Sequence, residues 1–527
     1  MMTPEVLASE ETDPIRVGSF FLETLTTGMY ENAFHCIREY IQNAYDAILE
    51  AVRADLIKGK EGRVLISVGG NARTPSLSVR DNGSGIPLDA AYTTLVSLGA
   101  SDKNPARHAG FRGIGRLAGI AYCTTLRFKT KAKGEARGTV VEFDCGLIKG
   151  YLKPGSDPVD VRDVIRASVK TNTFSESSDQ HYTEVEMSGL VGVGQEFVQM
   201  ELLQPYLRQV CPVSYADNFD YSERIKAIAS GFGDSIDVVE VETRQKREKV
   251  SIHKAFKNTA ATARAPSKLY EIETFVSKEH GWYGWIGKSN FAGEITDATV
   301  AGVRFRMKNI QVGDSRIIMD IAEGLTPTGS ERRLMLWAVG EIFVTNREVI
   351  PNARRDGFED TVAWRKIRDD IKDQVAKRLV KLIRGASSSR STLKRITNAF
   401  ETLTAVIAQP EFTADEKRHL LAEIKKQLDK LASDKLASAD PKEVSSLVSR
   451  FKELQEKVTK APTKETEQAR GDDGPTSEAT ESHADVPAVG ETAPANSILE
   501  VVHEVLADEL GDEEAQRLMD MIIARLE

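Results

Sequence analysis

Three glycines, at 110, 113 and 115, constrain this chain more than any other local feature. The run Gly110-Phe-Arg-Gly113-Ile-Gly115-Arg-Leu strips side chains from a short stretch of backbone that leads into a helical pattern. Bare amides at the start of a helix make a concave set of donors with the positive end of the helix dipole behind them, which suits phosphate. Taken alone, the stretch is equally a tight structural turn. It is not the dinucleotide fingerprint, because the glycine spacing differs and no strand leads directly into it. Nor is there a Walker A loop: upstream of Gly287-Lys288-Ser289, Trp282 stands where that loop needs glycine.

Two other features precede it. Residues 30–52 read as an amphipathic helix with Phe34, Ile37, Ile41, Ala44 and Ile48 along one face. Glu39, Asn43 and Asp46 stand at i, i+4 and i+7 in a narrow stripe on the opposite side. By itself such a stripe is a solvated face. Two short β segments follow, 63–68 and 76–80, around the turn Gly69-Gly70-Asn71. The second runs into Asp81-Asn82-Gly83-Ser84-Gly85-Ile86. A carboxylate at a strand end can accept from the exocyclic amine of a base, and glycines beside it let backbone approach the ring. In isolation this is an ordinary Asx/Gly turn. Further strands are expected at 140–143 and 183–187.

In this order, Glu39-x-x-x-Asn43-x-x-Asp46-Ala47, Asp81-x-Gly83-x-Gly85 and Gly110-x-x-Gly113-x-Gly115 resemble the three boxes of the GHKL (Bergerat-fold) ATPases. That superfamily includes the ninety-kilodalton heat-shock chaperones, MutL, the MORC proteins, type II topoisomerases and histidine kinases, and Gly110-Phe-Arg-Gly113 is most similar to MutL. The resemblance implies an α/β-sandwich ATPase domain over 14–195, with ATP and Mg²⁺ as ligands and ATP hydrolysis to ADP and phosphate as the reaction. It implies Asn43 as the Mg²⁺ ligand, a role its hard amide oxygen suits. Glu39 would be the general base for the attacking water, a contribution typically of about 10²–10⁴ in rate. Asp81 would read adenine, and Asp46, Gly83, Gly85, Gly110, Phe111, Arg112, Gly113, Ile114 and Gly115 belong to the ATP-binding boxes. Thr183-Glu-Val-Glu-Met resembles the late strand whose threonine helps hold adenine, although Tyr182 replaces the usual preceding glycine. Residues 97–108 resemble a mobile lid, where Lys103 is either a phosphate contact or a solvated lysine.

Residues 196–385 read as a second, transducer-like α/β domain, with strands expected at 236–241, 303–307 and 341–344. The stretch from Glu341 through Asn352-Ala-Arg354-Arg355-Asp356 resembles the middle domain of the ninety-kilodalton chaperones. That resemblance makes Arg355 the arginine that contacts ATP, with Asn352 supporting its loop. Lys308 is a second candidate. The plain alternative is that Arg354 and Arg355 pair with Asp356 and Glu359 at the surface.

From about Asp360 the pattern is helical. Thr413-Ala-Asp-Glu416 is a capping box, followed by Leu421, Ile424, Leu428 and Leu431. Asp440-Pro441 starts another helix carrying Val444, Leu447, Phe451, Leu454 and Val458. Residues 386–459 are therefore expected to be a helical hairpin or coiled coil. Residues 460–496 lack large apolar side chains and read as a disordered linker. Residues 497–527 regain helical periodicity, and 1–13 read as an N-terminal arm.

The 527-residue chain has a formal charge of −9, which argues against wholesale coating of nucleic acid but leaves room for a local basic face. Its four cysteines are scattered and read as buried small residues. Neither a long apolar run nor a signal segment is present, so no membrane association and a cytoplasmic location are expected. The leading functional expectation is a nucleotide-gated homodimeric clamp that remodels protein clients, as chaperones do. The alternative is a MORC- or MutL-like nucleic-acid clamp in genome maintenance or phage defence, with DNA held by the basic helices of 365–395. Only a short arm precedes Glu39, which disfavours a sensor kinase. The joint presence of Glu39 and Asn43 disfavours a non-enzymatic interaction protein.

Overall fold

The computed structural model describes residues 17–19, 32–99, 108–110, 113–153, 155–156, 159–325, 330–408, 411–436 and 438–464. The expected N-terminal arm, the linker beyond 464, the C-terminal helices, most of the lid segment with Lys103, and Phe111 and Arg112 lie outside them.

Helix α1 (His35–Arg53) buries Ile37, Ile41, Ala44 and Ile48 in the core to which β1 (Gly62–Gly70) and β2 (Pro75–Asp81) give Val64, Ile66, Leu77 and Val79. Its other side is not solvated: Arg38, Glu39, Gln42 and Asp46 are buried as well. The polar stripe is covered because other parts of the chain pack on it, which a helical wheel cannot show.

Helix α2 (Leu88–Val96) leads to β3 (Cys123–Lys131), β4 (Arg137–Asp144), α3 (Cys145–Tyr151), α4 (Val161–Ser168), β5 (Val169–Ser175) and β6 (Tyr182–Leu190). After α5 (Met200–Val210) and α6 (Ser222–Gly231) come β7 (Val239–Gln245) and β8 (Glu248–Ile252). These strands form one eight-stranded sheet in the order β5-β4-β3-β6-β2-β1-β7-β8. The β1–β7 pairing is parallel and the others are antiparallel. The sheet therefore runs past the boundary expected at 195, and Leu203, Leu207 and Val210 of α5 join its core. Local patterning gives no sign of this, because β7 finds β1 across a long stretch of chain.

The glycine stretch does not open an α-helix. Residues Gly115–Ala121 wind as a 3₁₀ helix. The Gly119 amide donates to the Tyr40 hydroxyl of α1 (2.9 Å), replacing the i−4 carbonyl an α-helix would offer it.

A second sheet has the order β13-β12-β14-β11-β10-β9. Its strands are β9 (Thr259–Ala260), β10 (Ser267–Ser277), β11 (Trp282–Ser289), β12 (Gly302–Met307), β13 (Ile310–Val312) and β14 (Val339–Val344). Trp282, Val303, Phe305 and Ile342 share a core with α7 (Arg316–Ala322) and α8 (Val362–Ile371). At the centre lies Glu341, fully buried, bound by Arg306 Nε, by Lys254 Nζ at 3.1 and 3.2 Å, and by the Tyr215 hydroxyl. Burial opposes its charge, but Arg306 and Lys254 outweigh burial and hold the carboxyl below its usual range. Arg306 also donates to the carbonyls of Gln209 (3.0 Å) and Cys211 (3.3 Å), at the end of α5, so this cluster ties the two sheets together.

A short π turn joins α8 to α9 (Lys377–Val406), a 30-residue helix that runs unbroken through the boundary expected at 385. Helices α10 (Ala414–Leu431) and α11 (Pro441–Lys460) have the expected capping box at Thr413 and the Asp440 cap followed by proline. They are antiparallel neighbours, since Phe412–Thr413 pairs with Thr463–Lys464. The assembly is not a two-helix hairpin. Leu393, Ile396, Phe400 and Leu403 of α9 enter the same core as Ile424, Leu431, Phe451 and Val458. Leu420 is buried there while Leu421 and Leu428 are only partly so, because a third helix turns the buried face of α10.

Candidate functional site

A cavity of about 320 Å³ opens between α1, α2, the glycine segment and the face of the first sheet. Its apolar end is walled by Val79, Ile86, Leu95, Phe128 and Val185. Asp81 and Thr183 also line this end. Asp81 stands at the end of β2, where its Oδ1 accepts the amides of Gly83 (2.8 Å) and Thr183 (3.3 Å). Thr183 Oγ1 meets Thr130 Oγ1 at 3.0 Å, and Thr130 Oγ1 accepts the Ile86 amide at 2.9 Å. The loop after β2 is thus stitched to β3 and β6 around a carboxylate. Gly85 is obligatory there: its φ is +68°, and a Cβ would lie 1.9 Å from the Lys131 carbonyl oxygen. Gly83 does not line the cavity; it packs on Ala47 of α1.

At the polar end stand Glu39 and Asn43 on α1, with Gly110, Gly113, Ile114 and Gly115 opposite. The contact is close, since a Cβ on Gly115 would fall 2.2 Å from Glu39 Oε2. Asp46 does not reach the cavity. It is 1% exposed and accepts the amides of Ala109 (2.7 Å) and Gly110 (2.9 Å), fixing where the glycine segment begins. Its position on the helix turns Asp46 towards those backbone amides, so in this structure it positions the glycine segment.

Arg355 reaches this end from the second part of the chain. Its Nε lies 3.3 Å from Glu39 Oε1, and its guanidinium donates to the Ala109 carbonyl. Each of the two side chains is nearly buried, at 8% and 9% exposure. The surface pairing weighed for Arg355 is therefore not what holds it. Its own φ is +56°, and its carbonyl accepts the Gly313 amide at 2.9 Å. Asn352 steadies the loop by donating to Asp356 Oδ1 (2.6 Å). Arg38, one residue before Glu39, donates to the Arg354 carbonyl (3.0 Å), so α1 grips the arginine loop directly.

Lys308 converges on the same place. Lys308 and Asn309, with φ of 52° and 58°, form the two-residue turn between β12 and β13. The ammonium donates to the His108 carbonyl at 2.6 Å. Burial pushes it down to about 8, partly offset by Asp46.

Several contributors carry no motif. Tyr40 pins Gly119, Arg38 holds the arginine loop, Thr130 joins the network at the apolar end, and Glu50 meets His108 Nε2 at 2.9 Å. Arg116 follows the last glycine and lines the cavity. For Arg38 and Tyr40 the one trace in the sequence is that they flank Glu39, making three consecutive polar-tipped residues that are all buried in the helix.

Residues 30–153 match the family described as "Histidine kinase-, DNA gyrase B-, and HSP90-like ATPase". The matched segment holds α1, the loop after β2 and the glycine segment, so the domain carrying this cavity is of the GHKL ATPase superfamily. Among curated proteins none matches the chain. No described helix is long and apolar enough to cross a membrane.

The half-buried ammonium of Lys308 has a consequence for stability. Between about pH 8 and the ordinary lysine value, the unfolded chain keeps a proton that the folded chain has released. Folding is therefore favoured progressively by this group as pH rises through that window. Lys308→Met should flatten that rise in a plot of thermal unfolding midpoint against pH. A mutant profile parallel to wild type would show that burial of the ammonium is not the cause.

Proposed function

We propose that the chain binds ATP with Mg²⁺ in this cavity and hydrolyses it, using Glu39 as general base and Arg355 as the cation beside the transferred phosphoryl group. One observation carries the reading. A carboxylate from the first helix and a guanidinium from the loop after β14 of the second sheet meet at 3.3 Å, beside Asn43 and against the glycine backbone.

The apolar end, with Asp81 and Thr183, suits a purine ring with an exocyclic amine, and the glycine backbone suits a phosphate chain. Glu39 takes a proton from water as the water oxygen bonds to the γ-phosphorus and the bond to the β-bridging oxygen breaks, leaving ADP and phosphate. Arg355 offsets the negative charge on the oxygens being transferred. Asn43 supplies one hard oxygen, and no cluster of three or more His, Cys, Asp or Glu side chains suited to a metal occurs among the described residues. That donor set fits a Mg²⁺ held mainly by the nucleotide's phosphates and water, where it would neutralise phosphate charge.

Glu341 and its partners join the sheet that carries the cavity to the sheet that presents Arg355, so occupancy of the cavity and the posture of the second sheet are mechanically linked. On this basis we take the protein to act as a nucleotide-gated dimeric clamp of the chaperone-like, client-remodelling kind.

A second reading, a nucleic-acid clamp, is favoured by α9. Between Lys377 and Phe400 this helix has no acidic residue. Several of the basic residues of 365–395 are engaged within the protein: Arg365 with Asp360, Arg378 with Glu273, Lys377 with Asp373, and Arg390 with the Asn290 and Phe291 carbonyls. Lys381, Arg384, Lys394 and Arg395 are exposed. If this face binds DNA, neutralising those four should abolish binding and flatten its salt dependence. Client-stimulated hydrolysis with no DNA affinity would leave the first reading standing.

Glu39→Ala should keep ATP affinity but lose turnover by about 10²-fold or more. Unchanged hydrolysis would remove Glu39 from its role. Arg355→Ala should slow hydrolysis with calorimetric ATP affinity close to wild type, after correction for any loss of stability from leaving Glu39 buried without its partner, which costs up to about 3–5 kcal/mol for such pairs. Wild-type turnover in that variant would refute the role of Arg355.

A further inference from the structure

Arg116 belongs to none of the three sequence boxes, yet it is one of only two cations, with Arg355, among the described residues that line the cavity. It follows Gly115 at the start of the 3₁₀ segment, on the same wall as Gly113 and Ile114. Burial lowers its guanidinium only to about 10, so it stays charged at neutral pH. It donates to the carbonyl of Ser97, the residue that caps the C-terminal end of α2. That helix in turn gives Ala90, Thr94 and Leu95 to the cavity wall. Arg355 already shares its charge with Glu39 and its hydrogen bonding with the Ala109 carbonyl. A polyphosphate entering between the glycine backbone and α2 therefore meets Arg116 as the cation that the ATPase domain itself contributes among the described residues.

We propose that Arg116 binds the phosphate chain of the nucleotide and, through the Ser97 carbonyl, couples that contact to the α2 wall of the cavity. This rests on the reading of the cavity as an ATP site. A guanidinium can do both at once, because its several N–H groups point in different directions in one plane. The charge is directed at phosphate, whereas the bond to Ser97 needs only a neutral donor. The two functions can therefore be separated by substitution.

The test is a calorimetric series with adenosine, AMP, ADP and ATP on the full chain, for wild type, Arg116→Gln and Arg116→Lys. Glutamine keeps a donor for Ser97 but removes the charge. Its affinity should fall by a factor that grows with phosphate number, reaching about tenfold or more for ATP, as expected for losing a charged hydrogen bond. Adenosine should bind as in wild type, which also shows that the cavity is folded. Lysine should recover most of the ATP affinity. The proposal is overturned if glutamine weakens adenosine and ATP by the same factor, if it leaves ATP affinity unchanged, or if lysine behaves no better than glutamine. A wild-type chain that binds neither adenosine nor ATP would instead sink the ATP reading, and this assignment with it.

Discussion

The meeting of Glu39 and Arg355 is the contact on which the arrangement of the site depends. Two charges buried against each other are stable only if each supplies what the other lost in leaving water, and if the surrounding backbone holds them in register. Both conditions are met by structure built for the purpose on either side. On one side, α1 presents Glu39 from a helix buried on all faces, and Gly115 is bare so that the carboxylate has room. On the other, the arginine loop is held by Gly313, by the Asn352–Asp356 bond and by Arg38.

The glycine segment lies between these partners. Asp46 fixes its start by accepting the Ala109 and Gly110 amides, and Tyr40 fixes its continuation through Gly119. Two turns of α1 thus do two different things: Tyr40 and Asp46 hold backbone, while Glu39 and Asn43 face the cavity. A small rotation of α1 would misplace all of them together. The same carbonyl that Asp46 helps position, that of Ala109, receives Arg355, and the neighbouring carbonyl of His108 receives Lys308. Residues 108–110 are therefore where the two cations carried by the loops of the second sheet meet the domain built on the first.

Glu341 plays the corresponding part for the second sheet. A carboxylate at zero exposure, bound by an arginine, a lysine and a tyrosine, is costly to bury and costly to disturb, so it favours one relative placement of β11, β12 and β14 against the end of α5. Arg306 sits in this cluster and Lys308 two residues later at the β-turn, so β12 and the turn that ends it carry the joint and one of the cations delivered to the ATPase domain.

Much of this was legible in the sequence, and the reason is local. The α1 apolar spacing, the strands around the Gly69-Gly70 turn, the capping box at Thr413 and the Asp440-Pro441 start are set by backbone and side-chain preferences within a few residues. The three glycine- and acid-bearing boxes are readable because they hold particular residue types at fixed spacing within the segment that matches the family. What tertiary structure alone decided is what those preferences cannot carry: that β7 pairs with β1, that α9 joins α10 and α11 in one core, that the polar side of α1 is buried, and that Asp46 holds backbone rather than facing the cavity. Each of these depends on which distant surface covers a given face, a choice made by the packing of the whole chain, where a side chain's role follows from its neighbours in space and not from those in sequence.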